Sequence, residues 1–154
     1  MRKIALLTLF FGAVVGLQAA DLILGTWQLN VAKSRYDPGP PPKSQTRIYA
    51  QDKTGIKAIS ITVYKNGNTD TVHYPSDYDG KEHPVAGSPD TDGIVMKRVD
   101  DYTAEPTLIH AGKLIGSTRR TVSRDGKSLT FAYKGTGPAG EQVSNSTFYD
   151  RVVE

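Results

Sequence analysis

From Gly25 onward the apolar residues recur at every second position, and no window keeps the i, i+3, i+4 spacing of an amphipathic helix. Trp27, Leu29 and Val31 share one face, with Gln28 and Asn30 on the other. Thr46, Ile48 and Ala50 alternate with Arg47, Tyr49 and Gln51; Ile59, Ile61 and Val63 alternate with Ser60, Thr62 and Tyr64. A period of two puts successive side chains on opposite faces of an extended strand. Further runs rich in β-branched and aromatic residues cover 94–101, 107–110, 113–123, 128–134 and 142–153.

Turn signals stand between these runs. Asp52-Lys53-Thr54-Gly55 separates two of them, and Lys65-Asn66-Gly67-Asn68 carries the Asn-Gly pair that favours a type I′ hairpin turn. Arg124-Asp125-Gly126-Lys127 supplies another tight turn, and Gly135 to Gly140 a longer one. The pattern predicts an all-β chain, an antiparallel up-and-down meander. Its eight to ten strands would close into a barrel and so remove exposed sheet edges. A two-sheet sandwich would usually need longer crossover connections. Two stretches break the rhythm: the proline-rich 37–43, and 75–93 with Pro75, Pro84, Pro89 and five acids.

The first twenty residues stand apart. Met1-Arg2-Lys3 is a basic start, Ile4 to Leu17 is apolar except for Thr8, and Gln18-Ala19-Ala20 supplies small residues. That order is the one of a secretory signal peptide over 1–20, cleaved after Ala19 or Ala20. The run is shorter than the roughly 20 residues of a membrane span. The expectation is a single domain over 21–154, with no membrane span after signal removal and a periplasmic or extracellular location. Without Arg2 and Lys3 the 19 basic residues become 17, against 16 acidic ones. Net charge near zero argues against nucleic acid as a partner. With no cysteine there is no disulfide framework, thiolate nucleophile or Cys-ligated zinc.

Gly25-Thr26-Trp27-Gln28-Leu29-Asn30 near the mature N-terminus, followed by a meander, resembles the opening strand of the calycin group, which comprises the lipocalins, the fatty-acid-binding proteins and their relatives. Phe148-Tyr149-Asp150-Arg151-Val152 is similar to the last strand of fatty-acid-binding proteins. The stretch Ser34 to Ser44, with its Pro-Gly-Pro-Pro-Pro core, is similar to that of secreted bacterial lipocalin-like proteins. The resemblance implies a calycin-like barrel whose closure involves Gly25, Trp27 and Arg151: Trp27 packs at the closed end under a basic side chain, for which Arg151 is the first candidate and Arg119 and Arg120 the next. Two departures matter. Fatty-acid-binding proteins place a pair of helices where the proline-rich loop stands here, and a carboxylate-binding arginine where this chain has Thr147.

Catalytic signatures are absent from the sequence. There is no Gly-x-Ser-x-Gly elbow, the Gly112–Thr118 segment lacks a P-loop ending, and the acidic run 77–82 fails the EF-hand pattern at Lys81. His73, His83 and His110 are scattered without metal-ligand spacing, so neither a metal nor a cofactor is expected. Eight tyrosines stand out, because each offers apolar area with one polar tip. Tyr64, His73, Tyr102, Arg120, Tyr133 and Tyr149 are the candidate ligand-binding residues, with Arg120 suited to an anionic group. The leading expectation is non-catalytic binding of a small apolar or amphipathic molecule, with 36–44 as a stiff lid. The alternatives are a barrel isomerase or hydrolase using His73 with Tyr74 or Tyr133, and a filled-barrel interaction module.

Overall fold

The structure is a computed structural model that describes residues 20–153. The leader-like segment therefore lies outside the described residues, apart from Ala20. Ten strands follow: β1 (Gly25–Leu29), β2 (Ser44–Asp52), β3 (Gly55–Val63), β4 (Thr69–Pro75), β5 (Glu82–Pro84), β6 (Gly93–Arg98), β7 (Thr103–His110), β8 (Lys113–Val122), β9 (Ser128–Thr136) and β10 (Gln142–Arg151). They form one antiparallel sheet in the order β4-β3-β2-β1-β10-β9-β8-β7-β6-β5. Pairing of β1 with β10 joins the two ends of the chain, so the meander closes there. The sheet edges β4 and β5 meet at one further point. His73 and Ala86 exchange both backbone hydrogen bonds, at 2.8 and 2.9 Å. Among the described residues no helix is long and apolar enough to cross a membrane.

Three local departures from the sequence pattern have physical causes. β1 stops at Leu29, and Val31 enters a single 3-10 turn whose cap, Asn30, accepts from the Lys33 N–H at 3.1 Å. The wall is nevertheless continued. Arg35 pairs with Ser146 of β10 through two backbone bonds of 2.7 and 2.8 Å, and Ser144 donates to the Asp37 carbonyl. The second departure is Pro106, which ends the sequence-predicted run at Thr107 because it has no N–H. The strand in fact starts at Thr103, and the β7–β8 pairing passes over positions 105 and 106. The third is β4, whose TDTVHYP sequence shows no apolar alternation. It is a strand because β3 templates it from Val63 to Lys57, across from Thr69 to Pro75.

The interior is not the most apolar face. On β3 Ile56, Ala58, Ser60 and Thr62 are buried, whereas Ile59, Ile61 and Val63 are half-buried on the outside. On β2 the buried residue is Tyr49, which places Arg47 and Gln45 on the inner face with it. The main core fills the closed end: Ile23, Trp27, Leu29, Tyr49, Val122, Leu129, Phe131 and Tyr149 pack together, with Trp27 and Tyr149 fully buried. A smaller cluster of Ile94, Met96 and Ala104 lies on the β6–β7 wall.

The closed end is fastened by Arg151. Its guanidinium lies 4.0 Å over the Trp27 ring and donates to the carbonyls of Leu22, Leu24 and Gly126 at 2.5–2.7 Å. Trp27 in turn donates its indole N–H to the Ile23 carbonyl at 2.8 Å. Gly25 has φ +123°, and a Cβ there would stand 2.7 Å from an Arg151 nitrogen, so only glycine lets the guanidinium pass. Replacing Arg151 by Met removes the cation–π contact and leaves three carbonyls without their donor. Urea unfolding should register a loss of about 2–4 kcal/mol. A change below a few tenths would show that the cover is ornamental.

Candidate ligand-binding cavity

Closing a ten-stranded sheet leaves space that the short interior residues do not fill. A cavity of about 260 Å³ lies between the β2–β4 wall and the β6–β9 wall, just under the range of ligand pockets, which starts near 300 Å³. Its lining is mixed: Gln45, Arg47, Ser60, Thr62, Thr118 and Arg120 are polar, and Val72 on β4 with Ile94, Met96, Pro106 and Leu108 on β6 and β7 are apolar. The cover comes from the loop between β5 and β6, where Val85, Ser88, Pro89, Asp90 and Thr91 line the space. None of the residues 36–44 does so, which corrects the expectation that the proline-rich stretch is the lid. Asp37 of that stretch is tied to β10 and Lys43 to Val63 of β3 instead, and Gly87 (φ +83°) lets the covering loop press against the Thr71 carbonyl, where a Cβ would collide.

Two arginines reach into this space from opposite walls. Arg47 donates from Nε to the Tyr149 hydroxyl at 3.1 Å and from Nη1 to the Tyr74 hydroxyl at 3.0 Å. Its guanidinium lies 4.4 Å over the Phe131 ring, and Nη2 is engaged by neither tyrosine. The Tyr149 hydroxyl donates to Gln45 Oε1, Gln45 donates to Thr62 at 2.6 Å, and the Tyr74 and Tyr49 hydroxyls are 3.0 Å apart. Arg120 is 3% exposed and donates to Ser76 Oγ at 2.9 Å and the Tyr78 hydroxyl at 2.6 Å. The described salt bridges involve neither arginine. Burial works against both charges, yet the surrounding tyrosines hold both guanidiniums above their ordinary pKa.

The sequence-nominated residues fall in different places. Arg120 and Tyr64 line the cavity, Arg120 deep and Tyr64 at the mouth, where its hydroxyl donates to Asp70 at 2.9 Å. Tyr149 is fully buried beneath the cavity, outside its lining, and meets it through Arg47, Gln45 and the ring of Phe131. Tyr133 lies against Gly116 and Gly135, whose missing Cβ atoms make room for its ring, and outside the cavity lining. His73 is exposed on the face of β4 opposite to Tyr74, so its imidazole is turned away from the cavity. Tyr102 is at the other end of the barrel, with Arg124 5.2 Å over its ring. Gly25, Trp27 and Arg151 meet at the closed end. Among the described residues no group of three His, Asp or Glu side chains converges on a metal-sized site.

Sequence reasoning missed Arg47, Gln45, Asp70 and Asp90. The available signal for Arg47 was its place two residues before Tyr49 within an alternating run. It pointed to a shared face but not to which face is inside.

No protein-family model matches the chain, and no curated protein matches it in sequence. Among solved structures it is similar to zebrafish ileal bile acid-binding protein complexed with cholic acid, with a TM-score of 0.50 and 14% identity. The match covers 85% of this chain and 99% of that one. The fold is calycin-like. At that identity the likeness is one of fold, and the chemistry has to come from the side chains of this calycin-like barrel.

The interior tyrosines are held neutral. Burial is the leading cause of raised pKa values at Tyr74 and Tyr78, and pushes Tyr64 up to about 12 with help from Asp70 and Asp90. A tyrosine whose folded pKa lies above its ordinary value near 10 stabilises the fold fully below pH 10. That contribution is lost as pH rises through the folded values. Tyrosinate absorbance should therefore appear in two stages, with ordinary tyrosines near pH 10 and a late group coinciding with loss of the β-sheet circular-dichroism signal. A single stage near pH 10 with the fold intact would contradict the enclosed network.

Proposed function

We propose that the protein is an exported, non-catalytic carrier that holds one small amphipathic molecule in the barrel, with an anionic group of that molecule at Arg47 and Arg120. The observation that carries this reading is the pair of guanidiniums at the cavity with tyrosine hydroxyls and rings around them and, among the described residues, no carboxylate paired to either. A charge taken out of water is costly unless it is matched, and hydroxyl dipoles match it only in part. A bound carboxylate or sulfonate completes the set. The apolar wall of Ile94, Met96, Pro106 and Leu108 suits the hydrocarbon part of the same molecule. The similar zebrafish barrel was solved with cholic acid, itself an amphipathic acid.

Binding of decanoate and decanol, followed by displacement of an anilinonaphthalene sulfonate probe, tests the reading. Arg47→Gln should weaken decanoate by about tenfold or more, the usual worth of a hydrogen bond to a charged group. Decanol should be little affected. Equal effects on both, or no binding of either, would remove the anionic carrier. Export is tested separately. Protein recovered from the medium or periplasm of a bacterial host should begin at Ala20 or Asp21 on N-terminal sequencing, and retention of Met1 would rule the leader out.

A further inference from the structure

The charged residues lining the cavity are four, and they are not mixed. Arg47 and Arg120 lie in its depth, whereas Asp70 and Asp90 stand at the mouth. Asp70 is on β4 beside the β3–β4 turn, and Asp90 is on the covering loop. Tyr64 links them: its hydroxyl donates to Asp70 at 2.9 Å, and the charge of Asp90 acts on the same phenol. The described salt bridges include neither aspartate, although Asp92 on the same loop is paired with His110 and Asp79 with His83. Among the described residues no lysine or histidine lines the cavity. The site is thus neutral in sum and dipolar along its length.

A purely anionic guest fits that field poorly, because its approach to the arginines leads past two carboxylates that no described salt bridge neutralises. From the geometry we infer that the ligand is an amphipathic zwitterion, with its anionic group at the arginines and a cationic group at Asp70 and Asp90. This rests on the carrier reading above and specifies its ligand. The strand register sets the scale. Arg47 stands opposite Ser60, and Ser60 opposite Val72, with Asp70 two residues further along β4. Two interstrand steps and two residues of rise separate the Arg47 and Asp70 backbones by roughly 12 Å. A ten-carbon chain with a charge at each end bridges such a gap.

The discriminating probes are 10-aminodecanoate, decanoate and decylamine, titrated by calorimetry into the wild-type protein and into the Asp70→Asn, Asp90→Asn double variant. Neither substitution removes interior packing, and circular dichroism checks that the barrel is intact. Wild type should bind 10-aminodecanoate about fivefold tighter than decanoate, in keeping with one exposed ion pair, and decylamine most weakly. The double variant should erase or reverse that preference while leaving decanoate bound at least as well. Added salt should shrink the preference, because the mouth is open to solvent. Decanoate binding as tightly as 10-aminodecanoate in wild type, or a preference that survives the double substitution, overturns the zwitterion while the carrier stands. Failure of all three probes to bind removes both.

Discussion

A guanidinium inside a barrel has to be held by something, and here it is held by phenols. Arg47 on β2 grips Tyr149 on β10 and Tyr74 on β4 while lying over Phe131 on β9. Arg120 on β8 grips Tyr78 and Ser76 on the β4–β5 connection and stands 5.6 Å from the Tyr49 ring of β2. Each arginine therefore spans the lumen and ties walls that share no backbone ladder. Phenols suit this task because they bring apolar area for the core and an oxygen for the cation, with a ring face as a second acceptor. Had carboxylates done the same work, the charge would be neutralised internally and the cavity would have no electrostatic preference. With tyrosines the walls are joined and the positive field survives.

That constraint explains why the interior is built from mid-sized polar residues. Ser60, Thr62, Thr118 and Thr147 face inward beside the arginines and tyrosines, and Ile59, Ile61 and Val63 of β3 are moved to the outer surface. The two ends of the barrel then divide the work. At the closed end Trp27, Leu129 and Tyr149 exclude water completely, and Arg151 seals the indole against three backbone carbonyls. At the other end the β4–β5 seam has a single bridge at His73 and Ala86, and the loop that follows it covers the cavity. Stability is concentrated where nothing has to move. The lightly bonded seam is next to the β5–β6 loop, whose residues 85 and 88–91 line the cavity.

The period of the chain was legible from its side chains, and so was the class of fold, because alternation and turn residues act locally. Which face is inside was not. Alternation marks Ile59 and Ile61 as one set and Ser60 and Thr62 as another, and the ordinary preference puts isoleucine inside. The arginine-bearing lumen reverses that choice on β3. The same reversal hid Arg47, which shares its face with Tyr49. β4 was invisible because its inward residues are Asp70, Val72 and Tyr74, a set chosen for the cavity over the core. Tyr102 and Tyr133 illustrate the converse. Both have the chemistry of a ligand contact, but one is at the far end of the barrel and the other is spent covering Gly116 and Gly135.

The same geometry weighs against general acid–base chemistry in the cavity. A useful acid or base has a pKa near the working pH and stands within hydrogen-bond reach of its substrate. His73 faces outward, His83 is occupied by Asp79 at 2.9 Å, and His110 is absent from the cavity lining. The tyrosines that do reach the cavity, Tyr64 and Tyr74, are moved further from neutrality by burial and by their neighbours. A phenol held firmly protonated next to a guanidinium is a poor proton acceptor and a good fixed dipole. Fixed dipoles around permanent charges orient a guest, and that supports the carrier reading proposed above.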